Sequence, residues 1–124
     1  MTSTLDSFVS RSKSLPVPIA TSQEIRDRGS IFVANIFRCY TPQQARVCVQ
    51  HLRNVTHGNK PASHEISAYR CMVPKQKHTG LDGPDDFEVV GASEDDGEQW
   101  AGDRILRVMK EEAILDAVVI VSRW

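Results

Sequence analysis

No stretch of this chain approaches the roughly twenty consecutive apolar residues that a membrane-spanning helix needs. The N-terminus also lacks an apolar core of signal-peptide length, which excludes a secretory leader and points to a cytoplasmic or nuclear protein. Cysteine is scarce. Cys39, Cys48 and Cys71 are an odd set of three, without the paired spacing of a zinc site or a small disulfide framework. They read as reduced core thiols. A surplus of charge of either sign is missing too: fifteen Lys and Arg face sixteen Asp and Glu, a formal net charge of −1. No global pull toward phosphate backbones or anionic lipid is therefore expected, and nucleic-acid binding would require a local patch.

What is present is ordinary globular material. The hydrophobic fraction is 40% and the charged fraction 25%, which argues against disorder along the whole chain. At 124 residues the chain is near the modal domain size, and one domain should bury roughly two thirds of its unfolded surface. Residues 1–15 are rich in Ser and Thr, with Asp6, Arg11 and Lys13 and no amphipathic face, the composition of a flexible tail. A single domain is expected over 16–124.

Along that domain, 17–23 reads as a short edge strand and 24–29 as a charged turn that Gly29 closes with positive φ. Residues 30–39 carry Ile31, Phe32, Val33, Ile36 and Phe37, apolar on both faces as in an inner strand. Thr41 as N-cap, Pro42 at the first helical position and Gln44 three residues after the cap predict a helix start. Ala45, Cys48, Val49, Leu52 and Val55 give it an apolar stripe, and Gly58 a stop. Residues 63–73 form a strand with Ile66, Ala68 and Arg70 on one side, ended by Pro74. Residues 75–86, with Gly80, Gly83 and Pro84 among charges, read as a mobile surface loop. A short strand at 87–92 follows. A helix over about 98–113 turns Ala101, Ile105, Val108 and Met109 inward, and an almost wholly apolar strand at 117–121 suits a central position. This order predicts an α+β fold, a mixed four- to five-stranded sheet with two helices on one face.

Chemistry-bearing residues gather in three places. Glu94, Asp95, Asp96 and Glu98 are four carboxylates within five residues, and clustered oxygens are what Mg²⁺ or Ca²⁺ requires, although the calcium-loop spacing is absent. The simpler assignment is that Asp95 or Asp96 caps the following helix while the others favour the positive end of its dipole. His64 beside Glu65, with Tyr69 and Arg70 downstream, has the titratable groups of acid/base chemistry but no obvious nucleophile. Hydrogen bonds that fix the strand start beside the acidic turn are the structural alternative. Arg28, Arg70 and Arg123 are long enough to converge on that turn in bidentate contacts. With His64, Tyr69 and Trp124 they could instead form a surface where phosphates pair and bases stack. Trp100 either packs on the sheet or anchors a partner.

Three segments carry a family likeness: Asp27-Arg28-Gly29-Ser30-Ile31-Phe32, Ala62-Ser63-His64-Glu65-Ile66-Ser67-Ala68-Tyr69-Arg70, and Glu94-Asp95-Asp96-Gly97-Glu98 followed by Ala101 and Gly102. Together, over about residues 24–124, they resemble the IMPACT/YigZ family, and the closing residues 118–124 resemble its eukaryotic branch. The resemblance implies a fold similar to domain two of ribosomal protein S-five. It also implies a non-catalytic, protein-binding regulator that restrains the general-control kinase of translation by competing for its activator protein, with a link to actin. On this reading the binding surface comprises Arg28, His64, Tyr69, Arg70, Glu94, Asp95, Asp96, Glu98 and Arg123, with no catalytic residues, metal or cofactor. An RNA- or ribosome-binding module is the alternative, and metal-assisted hydrolysis at Asp95 and Asp96 a third. Two family features, an RWD-type N-terminal domain and a Gly-Gly turn and helix after Trp124, have no counterpart in these residues. The expectation is an uncovered sheet edge open to a partner or to a homodimer.

Overall fold

Arg28 and Gly29 have consecutive positive φ angles of 52° and 82°, the signature of a two-residue type I′ turn. They join β2 (Ile25–Asp27) to β3 (Ser30–Arg38), with Asp27 opposite Ser30. Gly29 closes the turn as expected, but the turn is tighter than 24–29, because residues 25–27 already pair with β3. The two-residue strand β1 (Ala20–Thr21) pairs farther along β3, with Ala20 opposite Ile36. This computed structural model describes residues 15–75 and 86–124. The tail expected at 1–15, apart from Leu15, and most of the loop expected at 75–86 lie outside the described residues.

Helix α1 (Pro42–His51) starts where its capping sequence places it. Thr41 is extended and its Oγ1 accepts the Gln44 N–H at 3.1 Å, while Gln44 Oε1 accepts the Tyr40 N–H at 2.6 Å. The reciprocal bond of the capping box thus lands one residue upstream of the cap. The helix then widens into a π-type turn, Leu52–Thr56. That widening rotates residues off the 3.6-residue stripe, so Leu52 is buried while Val55, expected inward, is exposed. At Gly58 an added Cβ would lie 2.6 Å from the Asn54 carbonyl oxygen, so only glycine lets the chain leave there.

Strands β4 (His64–Pro74) and β5 (Phe87–Glu94), helix α2 (Ala101–Glu111) and strand β6 (Ala117–Arg123) complete the fold. The sheet has six strands in the order β1-β3-β6-β4-β5, with β2 also on β3. Every pairing is antiparallel. The α+β class is as expected, whereas the mixed four- to five-stranded sheet becomes an antiparallel one of six. The crossovers explain the change. The unit β3-α1-β4 has β6 inserted between its two strands, and β5-α2-β6 has β4 inserted. Each crossover joins strands of like direction, yet an antiparallel strand fills each gap.

The helices also lie on opposite faces of the sheet rather than on one. Val118 and Ile120 of β6 and Cys71 of β4 pack with Ala45, Cys48 and Leu52 of the first helical segment. Ala117 and Val119, the alternate residues of β6, pack instead with Ala68, Ile105 and Met109 on the α2 side. Successive strand residues point to opposite faces, so the nearly unbroken apolar run of β6 requires cover on both. Met109 is buried as expected, whereas Val108 and Trp100 are exposed, so Trp100 does not pack on the sheet.

All three thiols are buried and free, with Cys39 Sγ 3.6 Å from Cys71 Sγ. Burial pushes each of them up, and the hydrogen bond with Cys71 adds to the effect at Cys39. They are core thiols, as expected. Among the described residues, no helix is long and apolar enough to cross a membrane.

Candidate functional site

The acidic turn between β5 and α2 folds around its own carboxylates. Asp96 and Gly97 both have positive φ, 47° and 88°, which reverses the chain. Asp95 then reaches forward: its Oδ1 accepts the Gly102 N–H at 2.8 Å and its Oδ2 the Trp100 N–H at 3.1 Å. Two of the orphan donors at the start of α2 are thereby satisfied, so Asp95 caps the helix from outside the formal cap position. Asp96 Oδ2 accepts the Glu65 N–H at 2.7 Å, tying the turn to β4.

His64, Glu98 and Arg123 meet at the same end of the sheet. The Asp96 carbonyl can only accept, so His64 Nδ1, 2.7 Å from it, carries the proton. His64 Nε2 lies 3.5 Å from Glu98 Oε1, and Arg123 Nη1 donates to that same oxygen. Arg123 Nε donates to Ser30 Oγ at 3.0 Å, and its guanidinium sits 5.6 Å from the centre of the Phe32 ring. Arginine is suited to this double duty, because its planar fork bonds in plane and stacks across it.

On the other face of β4, Glu65 is a buried carboxylate, 2% exposed. Its Oε2 receives the Ser122 hydroxyl and a bond with His57 Nδ1 at 3.0 Å. Its Oε1 has no hydrogen bond and lies 3.9 Å from Arg53 Nε. Arg53 Nη2 is 3.6 Å from Asp96 Oδ2. The His57 ring meets Trp124 edge-on at 4.8 Å, and the Trp124 indole N–H donates to the Lys60 carbonyl at 2.9 Å. Next to Glu65, a groove of about 380 Å³ runs between α1 and the β4–β5 pair. Ala45, Val49, Ala92 and Val118 contribute apolar side chains to it, and Arg46, Gln50, Arg53, Ser67, Tyr69, Glu94 and Asp96 polar ones.

Of the residues expected to form one surface, His64, Asp96, Glu98 and Arg123 come together, with Asp95 beside them as the helix cap. Glu94 and Tyr69 belong to the groove instead. Arg70 and Arg28 do not converge on the acidic turn. Arg70 Nη1 donates at 3.4 and 3.3 Å to the carbonyls of Met109 and Ile114, where it serves the C-terminal end of α2. Arg28 is an exposed residue of the β2–β3 hairpin turn. Asp95 and Asp96 are spent on backbone donors and Glu98 on Arg123, the structural alternative weighed against a metal site, while Glu94 lines the groove. Arg53, His57 and Ser122 were missed. Their one sequence signal is the four-residue spacing of Arg53 and His57, which puts both on one helical side facing Glu65.

The Impact N-terminal domain model matches residues 28–124. Protein IMPACT of Xenopus laevis is 32% identical over 110 residues, covering 86% of this chain and 31% of that protein. Protein IMPACT of Bos taurus is 35% identical over 128 residues, covering 98% of this chain and 36% of that protein. The solved structure of the two-domain translational regulator Yih1 superposes with a TM-score of 0.58 at 32% identity, covering 84% of this chain and 36% of that one. The chain thus spans about a third of the length of the curated relatives it matches.

Proposed function

This chain belongs to the Impact N-terminal domain family, and on that premise we propose that it is a non-catalytic translational regulator that acts in the cytoplasm by occupying a protein partner. The observation that carries the reading is its likeness to the translational regulator Yih1, at 32% identity over 84% of the chain. The geometry supports occupancy over chemistry. Asp95, Asp96 and Glu98 are committed to the cap of α2, the start of β4 and Arg123 respectively. The buried Ser122 hydroxyl is committed to Glu65, and the thiols are buried. A turn held at so many points presents a fixed surface of His64, Asp96, Glu98 and Arg123, and preorganisation of this kind lowers the entropic cost of binding. The finer assignment is restraint of the general-control kinase through its activator protein, with actin as a second protein partner.

Affinity capture of the tagged chain from cell extract, with and without ribonuclease, tests this reading. Translation-control proteins or actin that survive ribonuclease are the expected result. Ribosomal material alone, removed by ribonuclease, would replace it with the RNA-binding alternative. Light scattering on the purified chain reads the homodimer expectation directly.

A further inference from the structure

Helix α1 packs on β4 and β6, and α2 packs on β4 and β5 from the other side. Among the described residues, α1 makes its main contacts with β4 and β6 rather than β5, and the groove opens between α1 and the β4–β5 pair. Its walls carry three carboxylates, Glu65, Glu94 and Asp96, against two guanidinium groups, Arg46 and Arg53. The apolar groups Ala45, Val49, Ala92 and Val118 lie between them. Among the described residues, Glu65 Oε1 is the one buried side-chain oxygen or nitrogen without a hydrogen bond. A buried carboxylate oxygen left unpaired is costly and calls for a donor. Arg53 stands over it without supplying one: Nε is 3.9 Å from Glu65, Nη2 is 3.6 Å from Asp96, and the side chain is 45% exposed.

We propose that this groove is a receptor for a basic side chain, Arg or Lys, carried by an extended segment of a partner polypeptide. The apolar lining accepts the aliphatic stem of such a side chain, as buried stems with charged heads require. The head displaces Arg53 and donates to Glu65 Oε1 and Asp96. A polypeptide, rather than a free cation, is favoured by β5, which among the described residues has β4 as its single sheet neighbour. A free edge takes main-chain hydrogen bonds from an added strand, and alternate side chains of that strand reach one face of the sheet. Ala92 and Glu94 of β5 already line the groove on that face. This inference deepens the protein-binding reading and rests on it.

The test titrates the full chain with blocked arginine (acetyl-Arg-methylamide), its citrulline counterpart, and a blocked five-residue Val-Thr-Arg-Thr-Val peptide, followed by amide NMR. Saturable shifts at Ser67, Ala92 and Glu94 with the arginine probes are expected. Citrulline should bind at least about tenfold more weakly, as a lost buried charge pair dictates. The pentapeptide should bind more tightly than blocked arginine, and equal affinity would overturn the polypeptide source. Arg53→Ala should strengthen binding by removing the competing cation, and Glu94→Gln, at an exposed position, should weaken it without threatening the fold. Absence of shifts at millimolar probe, or unchanged affinity in Arg53→Ala, would overturn the proposal and leave Arg53 as an internal partner of Glu65 and Asp96. Ala92→Trp, which fills the groove, separates this idea from the broader one. If wild-type chain captures translation-control proteins and Ala92→Trp captures them equally, the receptor fails and the regulator reading stands. If wild type captures none while arginine binds, the regulator reading is what fails.

Discussion

The two faces of the sheet meet their helices differently. Under α2 small strand residues sit closest to the helix: Ala68 and Ala117 pack with Met109, and a Cβ on Gly91 would come within 3.6 Å of Leu106 Cδ1 and 2.9 Å of the Tyr69 carbonyl oxygen. Both ends of that helix are tied down, by Asp95 at the start and Arg70 at the finish. Under α1, Tyr69 and Glu65 stand on the strand, and between α1 and β5 a groove of about 380 Å³ remains beside a carboxylate with one unpaired oxygen. One face is closed and polar-satisfied, and the other keeps space and unspent hydrogen-bonding capacity. That contrast separates stability from binding: satisfied, close-packed elements hold the fold, while incompletely satisfied ones are open to a ligand.

The closed face should break hardest. Met109→Ala is expected to cost about 2–5 kcal/mol in chemical denaturation, through lost burial and a residual cavity; a cost below about 1 kcal/mol would mean that α2 is not closely packed. Asp95→Ala removes two hydrogen bonds to the start of α2 and should cost about 1–2 kcal/mol, with earlier amide exchange at Trp100 and Gly102. Glu98→Gln, at the partly exposed pair with Arg123, should cost about 1 kcal/mol or less, and the difference should shrink in high salt. Arg28→Asn sharpens the picture with the opposite sign. It relieves a positive φ of 52° on a bulky residue and should raise stability by up to about 1 kcal/mol.

Legibility in the sequence followed the range of the interactions. Thr41, Pro42 and Gln44 cap their own helix within three residues, so local chemistry was sufficient. Gly29 in its turn and Asp95 beside the helix it caps were readable for the same reason. Val55 was misplaced because its stripe assumes an ideal 3.6-residue helix where the segment widens into a π-type turn, and Val108 because the inward stripe of α2 runs through Gly102, Ile105, Leu106 and Met109. Arg70 was expected at the acidic turn, and it does share a face of β4 with His64, but it lies six residues farther along the strand, roughly 20 Å away, where it meets the C-terminal end of α2 instead. The family segments named the right neighbourhood, since His64, Asp96, Glu98 and Arg123 do converge there. The Glu65 network escaped notice because it joins residues 53, 57, 65 and 122, whose proximity depends on the order of strands.

Element identity, the helix caps, the I′ glycine and the apolar character of β6 were determined by the sequence itself, because each depends on neighbours a few residues away. Tertiary structure alone decided that β6 lies between β3 and β4, that every pairing is antiparallel, and that the helices take opposite faces. Those outcomes hinge on which long-range pairing buries both apolar faces of β6 at once. The same choice left β5, among the described residues, with β4 as its single neighbour and a groove beside Glu65.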